Sequence, residues 1–218
     1  WILDNINDME RVGSTDGVNI VAEVGYVESY GYSGPQVKRY FITKDGDKDK
    51  IHSPLLHNFG RRDMGYWKNL EEFILWGKRT YPARKYMLIV SGHGVGWRGV
   101  ARDDESGSAV SIPELAGVLA RAGGIDVFVS DACRMQMASV VYELKDSVKY
   151  VAGSEENVMG RGSDYRLLLS RLTDNPAAGP KEAALAAVDA YAGRQSYAAA
   201  AGLPALASAI YAPAMEGL

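Results

Sequence analysis

The 218-residue chain contains a single cysteine, Cys133. No intrachain disulfide can form, so the fold draws no stability from one, and the lone thiol leaves the compartment open. Histidine is almost as scarce, at three residues. Charge of one sign is missing too: 24 basic residues face 27 acidic ones, a formal net charge of -3. Such a balance lays no electrostatic footprint for nucleic acid and no strong field toward a membrane. The basic pairs Lys38-Arg39, Arg61-Arg62 and Arg84-Lys85 are scattered and read as solvated surface. No apolar run approaches the roughly 18 residues of a spanning helix, and no charged leader with an apolar core opens the chain.

What remains is ordinary globular material, 47% hydrophobic and 23% charged. Val18–Gly25 and Val37–Thr43 are expected to be neighbouring strands, with Asp45–Lys50 a solvated turn. Asp4–Gly13 has Ile6, Met9 and Val12 at helical spacing, with Gly13 as its stop. Asn69–Pro82 reads as a helix capped by Asn69, with Leu70, Phe73, Ile74 and Gly77 on one face. Further along stand three apolar runs, YMLIVSG, IDVFVSD and VKYVAGS, each trailed by a loop and a helix: Ile112–Gly123, Cys133–Asp146 and Tyr165–Leu172. Repeated βα units predict a three-layer α/β/α sandwich around a mostly parallel sheet. A further helix spans Pro180–Gln195, and the Ala-rich segment of residues 196–218 carries little pattern. No linker interrupts the chain, so residues 1–218 read as one domain.

His93 stands between glycines directly after YMLIV, and Cys133 comes after IDVFV through Ser130-Asp131-Ala132. In an open parallel sheet, ligands meet the carboxyl ends of the strands. Neighbouring strands lie about 4.8 Å apart. Ring and sulfur would then emerge on one rim. The glycines flanking His93 clear space for a substrate backbone. Cys133 is expected to open a helix, whose dipole and free amides favour a thiolate. The amides of Gly94 and Cys133 are the candidate oxyanion donors. A Cys–His pair of this kind supports acyl transfer, the thiolate attacking and the imidazole protonating the leaving amine. Taken singly, each residue has a bland alternative: a small buried hydrophobe, and a loop histidine without a role. Zinc bound through Asp131 lacks any i, i+3 or i, i+4 ligand spacing, so no metal is assigned. His52 and His57 sit in a polar connecting region and read as structural or exposed.

Asp4–Ser14, VNIVAEV, VKRYFIT, Asp63–Trp97, DACRMQMASVVYELKD and VKYVAGSEENVMGRGSDY together resemble the clostripain-like cysteine peptidases, relatives of caspases, legumains and gingipains. The resemblance spans most of residues 4–172. It implies a caspase-like fold and an endopeptidase that cleaves after arginine or lysine through a thioester acyl-enzyme, with His93 and Cys133 as the dyad. It assigns Asp131, two residues before the nucleophile, to the pocket for the basic side chain, against the alternative of an orienting or helix-capping aspartate. Two oxygens suit a guanidinium bidentately. Ser154 and Asp164 become candidate substrate-binding residues in a loop that also carries Glu155 and Glu156. The polar segment 98–108 becomes a candidate for self-cleavage, at Arg98 or Arg102.

No cofactor is required for this chemistry. Some relatives depend on calcium, and Asp103, Asp104 and Glu105 are candidate ligands without EF-hand spacing. The expected partners are peptides bearing basic residues, and the expected location is secreted or periplasmic. Members of the family open with an apolar strand before the first helix. Only Trp1–Leu3 precede it here, so that strand is expected to be absent. The alternative function is a non-catalytic binding module on the same scaffold.

Overall fold

The first helical pattern ends where the backbone needs a glycine. In the computed structural model, which describes residues 2–26, 35–158, 160–200 and 206–217, helix α1 spans Ile2–Glu10. The N–H of Gly13 donates to the Met9 carbonyl (2.9 Å), and Gly13 has φ +73°. A Cβ there would collide with the backbone of Lys44, so only glycine fits. Numbering elements along the chain, β1 (Val21–Tyr26) pairs antiparallel with β2 (Gln36–Phe41), from Val21 opposite Phe41 to Tyr26 opposite Gln36. β2 pairs antiparallel with β3 (Leu55–Gly60). Ile6 of α1 and Leu169 of α5 (Tyr165–Asp174) join Ile20, Val24, Tyr40 and Ile42 in one core. These elements form a compact unit of residues 1–63 and 164–177.

β3 falls in the region the sequence presents as a polar connection. It is a largely exposed strand, so the alternation that betrays a half-buried strand is missing. His57 lies on it. His52 sits nearby, its ring 3.0 Å from Asp47 Oδ2. That hydrogen bond, with the charge of Asp45 behind it, holds the His52 pKa above its ordinary value.

The second compact unit holds residues 64–163 and 178–218. β4 (Met87–Ser91), β5 (Ile125–Asp131) and β6 (Val148–Ser154) run parallel in that order. β7 (Ala207–Tyr211) closes the edge antiparallel to β6. The four-strand sheet is therefore mixed, and the N-terminal strands belong to a separate antiparallel sheet. Both faces are covered. Helices α2 (Trp67–Thr80), α3 (Ile112–Arg121) and α4 (Ala138–Leu144) supply Ile74, Leu115, Leu119, Val140 and Leu144 to a core with Leu88, Val90, Phe128 and Val151. Burying each such side chain contributes about 1.5–3 kcal/mol. Helix α6 (Pro180–Ala200) covers β5, β6 and β7, its Ala184, Ala187 and Ala190 buried. Small residues bring the helix axis close to the sheet.

Three helices differ from expectation in their bounds. α2 begins at Trp67 behind Tyr66, so Asn69 lies inside its first turn rather than capping it. α6 runs on to Ala200, past the expected end. α4 begins at Ala138, not at Cys133. Residues 133–137 form an irregular turn whose backbone is claimed by the end of β6 and the loop after it: Arg134 N–H donates to Glu156 O and Gln136 N–H to Ser154 O, both at 3.0 Å.

Candidate active site

The parallel pairing of β4 with β5 sets the site. Ser91, the last residue of β4, pairs with Asp131, the last of β5. Two residues on from each come His93 and Cys133. The pairing continues one step past β4, because Gly92 N–H donates to the Asp131 carbonyl (3.2 Å). A Cβ on Gly94 would stand 2.5 Å from the Cys133 carbonyl oxygen and 3.0 Å from Ala132 Cβ. The loop carrying the histidine therefore lies against the loop carrying the thiol, and glycine is what permits the approach. His93 is exposed, its Nε2 lying 3.9 Å from Asp104 Oδ1.

Cys133 is half-buried and free. It opens no helix, so the expected helix dipole does not act on it. Its sulfur instead accepts the Val158 N–H (3.3 Å), with the Val158 carbonyl oxygen at 3.9 Å. The next residue, Arg134, holds φ +57°. Backbone of this kind persists only where its surroundings impose it, and such residues cluster at functional sites. Among the described residues, the backbone N–H groups of Gly94 and Cys133 donate to no acceptor.

Asp131 is 4% exposed. Its Oδ1 accepts the Ser163 N–H (3.0 Å) and hydroxyl (3.3 Å), and its Oδ2 accepts the Ser91 hydroxyl (3.4 Å). Gly162, at φ +74°, lies so close that a Cβ would overlap the carboxylate. This aspartate caps no helix. Ser154 is buried at the end of β6. Its hydroxyl meets the carbonyls of Glu156 (2.9 Å) and Leu206 (2.8 Å) and the Tyr191 hydroxyl (3.0 Å), and accepts the Glu156 N–H (3.1 Å). Burial pushes the Tyr191 phenol above its ordinary pKa. Ser154 is thus a bracing group among protein partners rather than a hydroxyl presented to substrate. Asp164 belongs to the other unit, where its Oδ1 accepts the Leu167 N–H (2.9 Å) and caps α5. Glu155 Oε1 accepts the Ser208 hydroxyl (2.9 Å).

Arg98 ends a 3₁₀ turn (Gly96–Arg98) and is exposed, as is Arg102. The loop between them and Val110 is held by reciprocal Val100–Val110 backbone bonds at 2.9 Å and by Asp103. Asp103 Oδ1 accepts the N–H groups of Glu105 (2.8 Å) and Ser106 (3.0 Å), and Oδ2 that of Met64 (2.9 Å). Both Asp103 oxygens thus serve to hold backbone amides of this loop and of Met64. Among the described residues no three His, Cys, Asp or Glu side chains gather to hold a metal. Nor is any described helix long and apolar enough to cross a membrane.

Sequence reasoning missed Val158, Ser163 and Ser91. The first two reach the site from 25 and 32 residues beyond the groups they serve, and a valine amide or a loop serine carries no signal of its own.

The sequence profile of the clostripain family matches residues 1–208. Clostripain from Hathewaya histolytica is 28% identical over 130 residues, which cover 50% of this chain and 25% of that protein. A secreted C11 cysteine protease from Bacteroides thetaiotaomicron, solved with an irreversible peptide inhibitor, superposes with a TM-score of 0.77 at 22% identity, over 100% of this chain and 63% of its own. An inactive zymogen C11 protease from Parabacteroides distasonis gives 0.72 at 17% identity, over 99% and 57%. The chain thus spans less than two thirds of the length of each, and the two solved structures share its fold.

Proposed function

The chain belongs to the clostripain family, and from that premise we propose that it is a cysteine endopeptidase cleaving after arginine or lysine. One observation carries the reading: the Ser91–Asp131 register, which sets His93 and Cys133 at matching positions beyond paired strands. The Cys133 thiolate adds to the carbonyl carbon of the scissile bond. The oxyanion takes the Gly94 and Cys133 amides. His93 delivers its proton to the leaving amine as the C–N bond breaks, leaving a thioester on Cys133. His93 then takes a proton from water, whose hydroxide displaces the thiolate and frees the acid. The Val158 N–H steadies the sulfur anion at start and finish.

Asp131 supplies the negative charge at the floor of the pocket for the basic side chain. Ser163 and Ser91 fix its carboxylate, so charge is offered without rearrangement. The exposed Arg98 and Arg102 make the 98–108 loop a substrate of the enzyme itself. The same reading makes the protein an exported one, as the Bacteroides thetaiotaomicron enzyme is described to be.

The experiment compares hydrolysis of arginyl and neutral amide reporters under reducing conditions. Cys133→Ala is expected to abolish turnover. Asp131→Asn is expected to lower kcat/KM for the arginyl reporter by at least tenfold more than for the neutral one. Turnover surviving Cys133→Ala removes the nucleophile. Equal losses with Asp131→Asn remove the specificity role.

A further inference from the structure

The unit that carries Cys133 leaves three large apolar side chains in water beside it. Trp97 is 61% exposed, Val95 45% and Met137 37%. Val95 and Trp97 flank Gly96, and Gly96 rests on Met137. A Cβ on Gly96 would stand 2.6 Å from Met137 Sδ and 3.4 Å from the Arg134 carbonyl oxygen. Gly96 also holds φ +63°, so the approach depends on glycine twice over. The turn is closed by Val95 N–H donating to Gly99 O (3.0 Å) and Arg98 N–H to Val95 O (3.4 Å). Gly99 is itself pressed against the Val110 carbonyl. A tight turn between two fixed points thus carries the exposed Trp97, four residues after His93, with Gly96 seated on the Arg134–Met137 segment and the Arg98 guanidinium 5.6 Å from the indole centroid. Exposed apolar side chains carried on one turn and on the segment it rests against mark a place where something apolar binds.

From this geometry we infer that Val95, Trp97 and Met137 form the subsite for the residue just after the cleaved bond, and that in separate peptide substrates it favours a large apolar side chain, a preference the tethered Arg98-Gly99 and Arg102-Asp103 bonds need not satisfy. The inference rests on the peptidase reading above. His93 protonates the leaving amine, so that nitrogen must lie beside the imidazole. The Cα of the following residue is about 1.5 Å from the same nitrogen. Its side chain is therefore assigned to the turn that follows His93 in the chain, residues 95–97. The basic side chain before the bond belongs to the acyl half, toward Asp131. One rim then reads two residues with opposite chemistry, a cation on the Cys133 side and a hydrocarbon on the His93 side. Burial against an indole face adds area without demanding any hydrogen bond.

The test uses internally quenched peptides with arginine before the bond and leucine, serine or aspartate after it. Benzoyl-arginine ethyl ester, whose leaving group is ethanol, reports the Cys–His chemistry on the wild type alone. Wild type is expected to cleave the leucine peptide roughly tenfold better in kcat/KM than the serine peptide, the scale of hydrophobic-pocket discrimination. Trp97→Ala and Met137→Ala are each expected to shrink that ratio to within about twofold. Tyr142→Ala, which removes an exposed aromatic elsewhere on α4, is expected to keep it. An ester-hydrolysing wild type with no leucine preference, or a preference that survives both substitutions, overturns the subsite. No hydrolysis of ester or peptides removes the peptidase reading, and the subsite with it.

Discussion

At the scale of single residues, Gly94 does what no other side chain can. Adding one methyl puts a carbon 2.5 Å from the Cys133 carbonyl oxygen and 3.0 Å from Met135 Cγ. Met135 is fully buried, so the neighbours cannot yield freely and the two loops must part. A misplacement of about 1 Å at a reacting centre costs about a hundredfold in rate. Gly94→Ala is expected to lower kcat by that order with little change in far-UV circular dichroism. Near-wild-type kcat would show that the two loops need not touch. The placement of His93 and Cys133 beyond the ends of β4 and β5 is legible in the sequence, because each comes after an apolar run of strand length. Their supports are not legible. Ser163 and Val158 act through a backbone amide or a hydroxyl brought from far along the chain, and Ser154 is spent inside the protein rather than on a ligand. Asp164 carries two signals at once, of which the structure shows the cap on α5. An aspartate three residues before a helical N–H is a capping signal, and the acidic loop around it suggests substrate binding instead.

At the scale of elements, local signals succeed where they satisfy the backbone and fail where distant backbone intervenes. α3 is the clear success. Ser111 Oγ accepts the Glu114 N–H (3.4 Å), and Glu114 Oε2 accepts the Ser111 N–H (2.9 Å) and hydroxyl (2.7 Å). Pro113 fills the first turn, where its missing N–H costs nothing. Ser111→Ala removes the reciprocal pair and is expected to destabilise the protein by about 1 kcal/mol. The urea midpoint should fall with an unchanged slope. An unshifted midpoint would mean that packing of Leu115, Val118 and Leu119 alone fixes this helix end. α4 is the instructive failure. MQMASVV has the spacing of a helix, yet the amides of Arg134 and Gln136 are taken by carbonyls after and at the end of β6. That capture delays the helix and leaves Cys133 on a turn, where its sulfur accepts the Val158 N–H. β7 is silent in the sequence because an alanine-rich strand shows no apolar alternation, and its pairing with β6 is what defines it.

At the scale of the whole chain, the two compact units are interleaved in sequence. The first is assembled from residues 1–63 and 164–177, the second from 64–163 and 178–218. A cut after Arg102, in the proposed self-cleavage loop, would give pieces 1–102 and 103–218, and neither piece contains a complete unit. The first unit would take α1 and its three strands from the N-terminal piece and α5 from the C-terminal one, with Leu169 seated among Ile6, Val24 and Ile42. The second would take β4 from one piece and β5 and β6 from the other, joined by the register that runs from Met87–Val127 to Ser91–Asp131. His93 would stay on the N-terminal piece and Cys133 on the C-terminal one, so activity after the cut requires the pieces to remain joined. Each shared core buries apolar side chains on both sides, and pulling the pieces apart would expose them all. Wild-type protein is therefore expected to mature into two bands under denaturing electrophoresis while eluting as one particle of unchanged size under native conditions, with its esterase activity in the same peak. Cys133→Ala should remain a single band. Separation of the two pieces without denaturant, or cutting that persists in Cys133→Ala, would contradict this account of how the chain is divided.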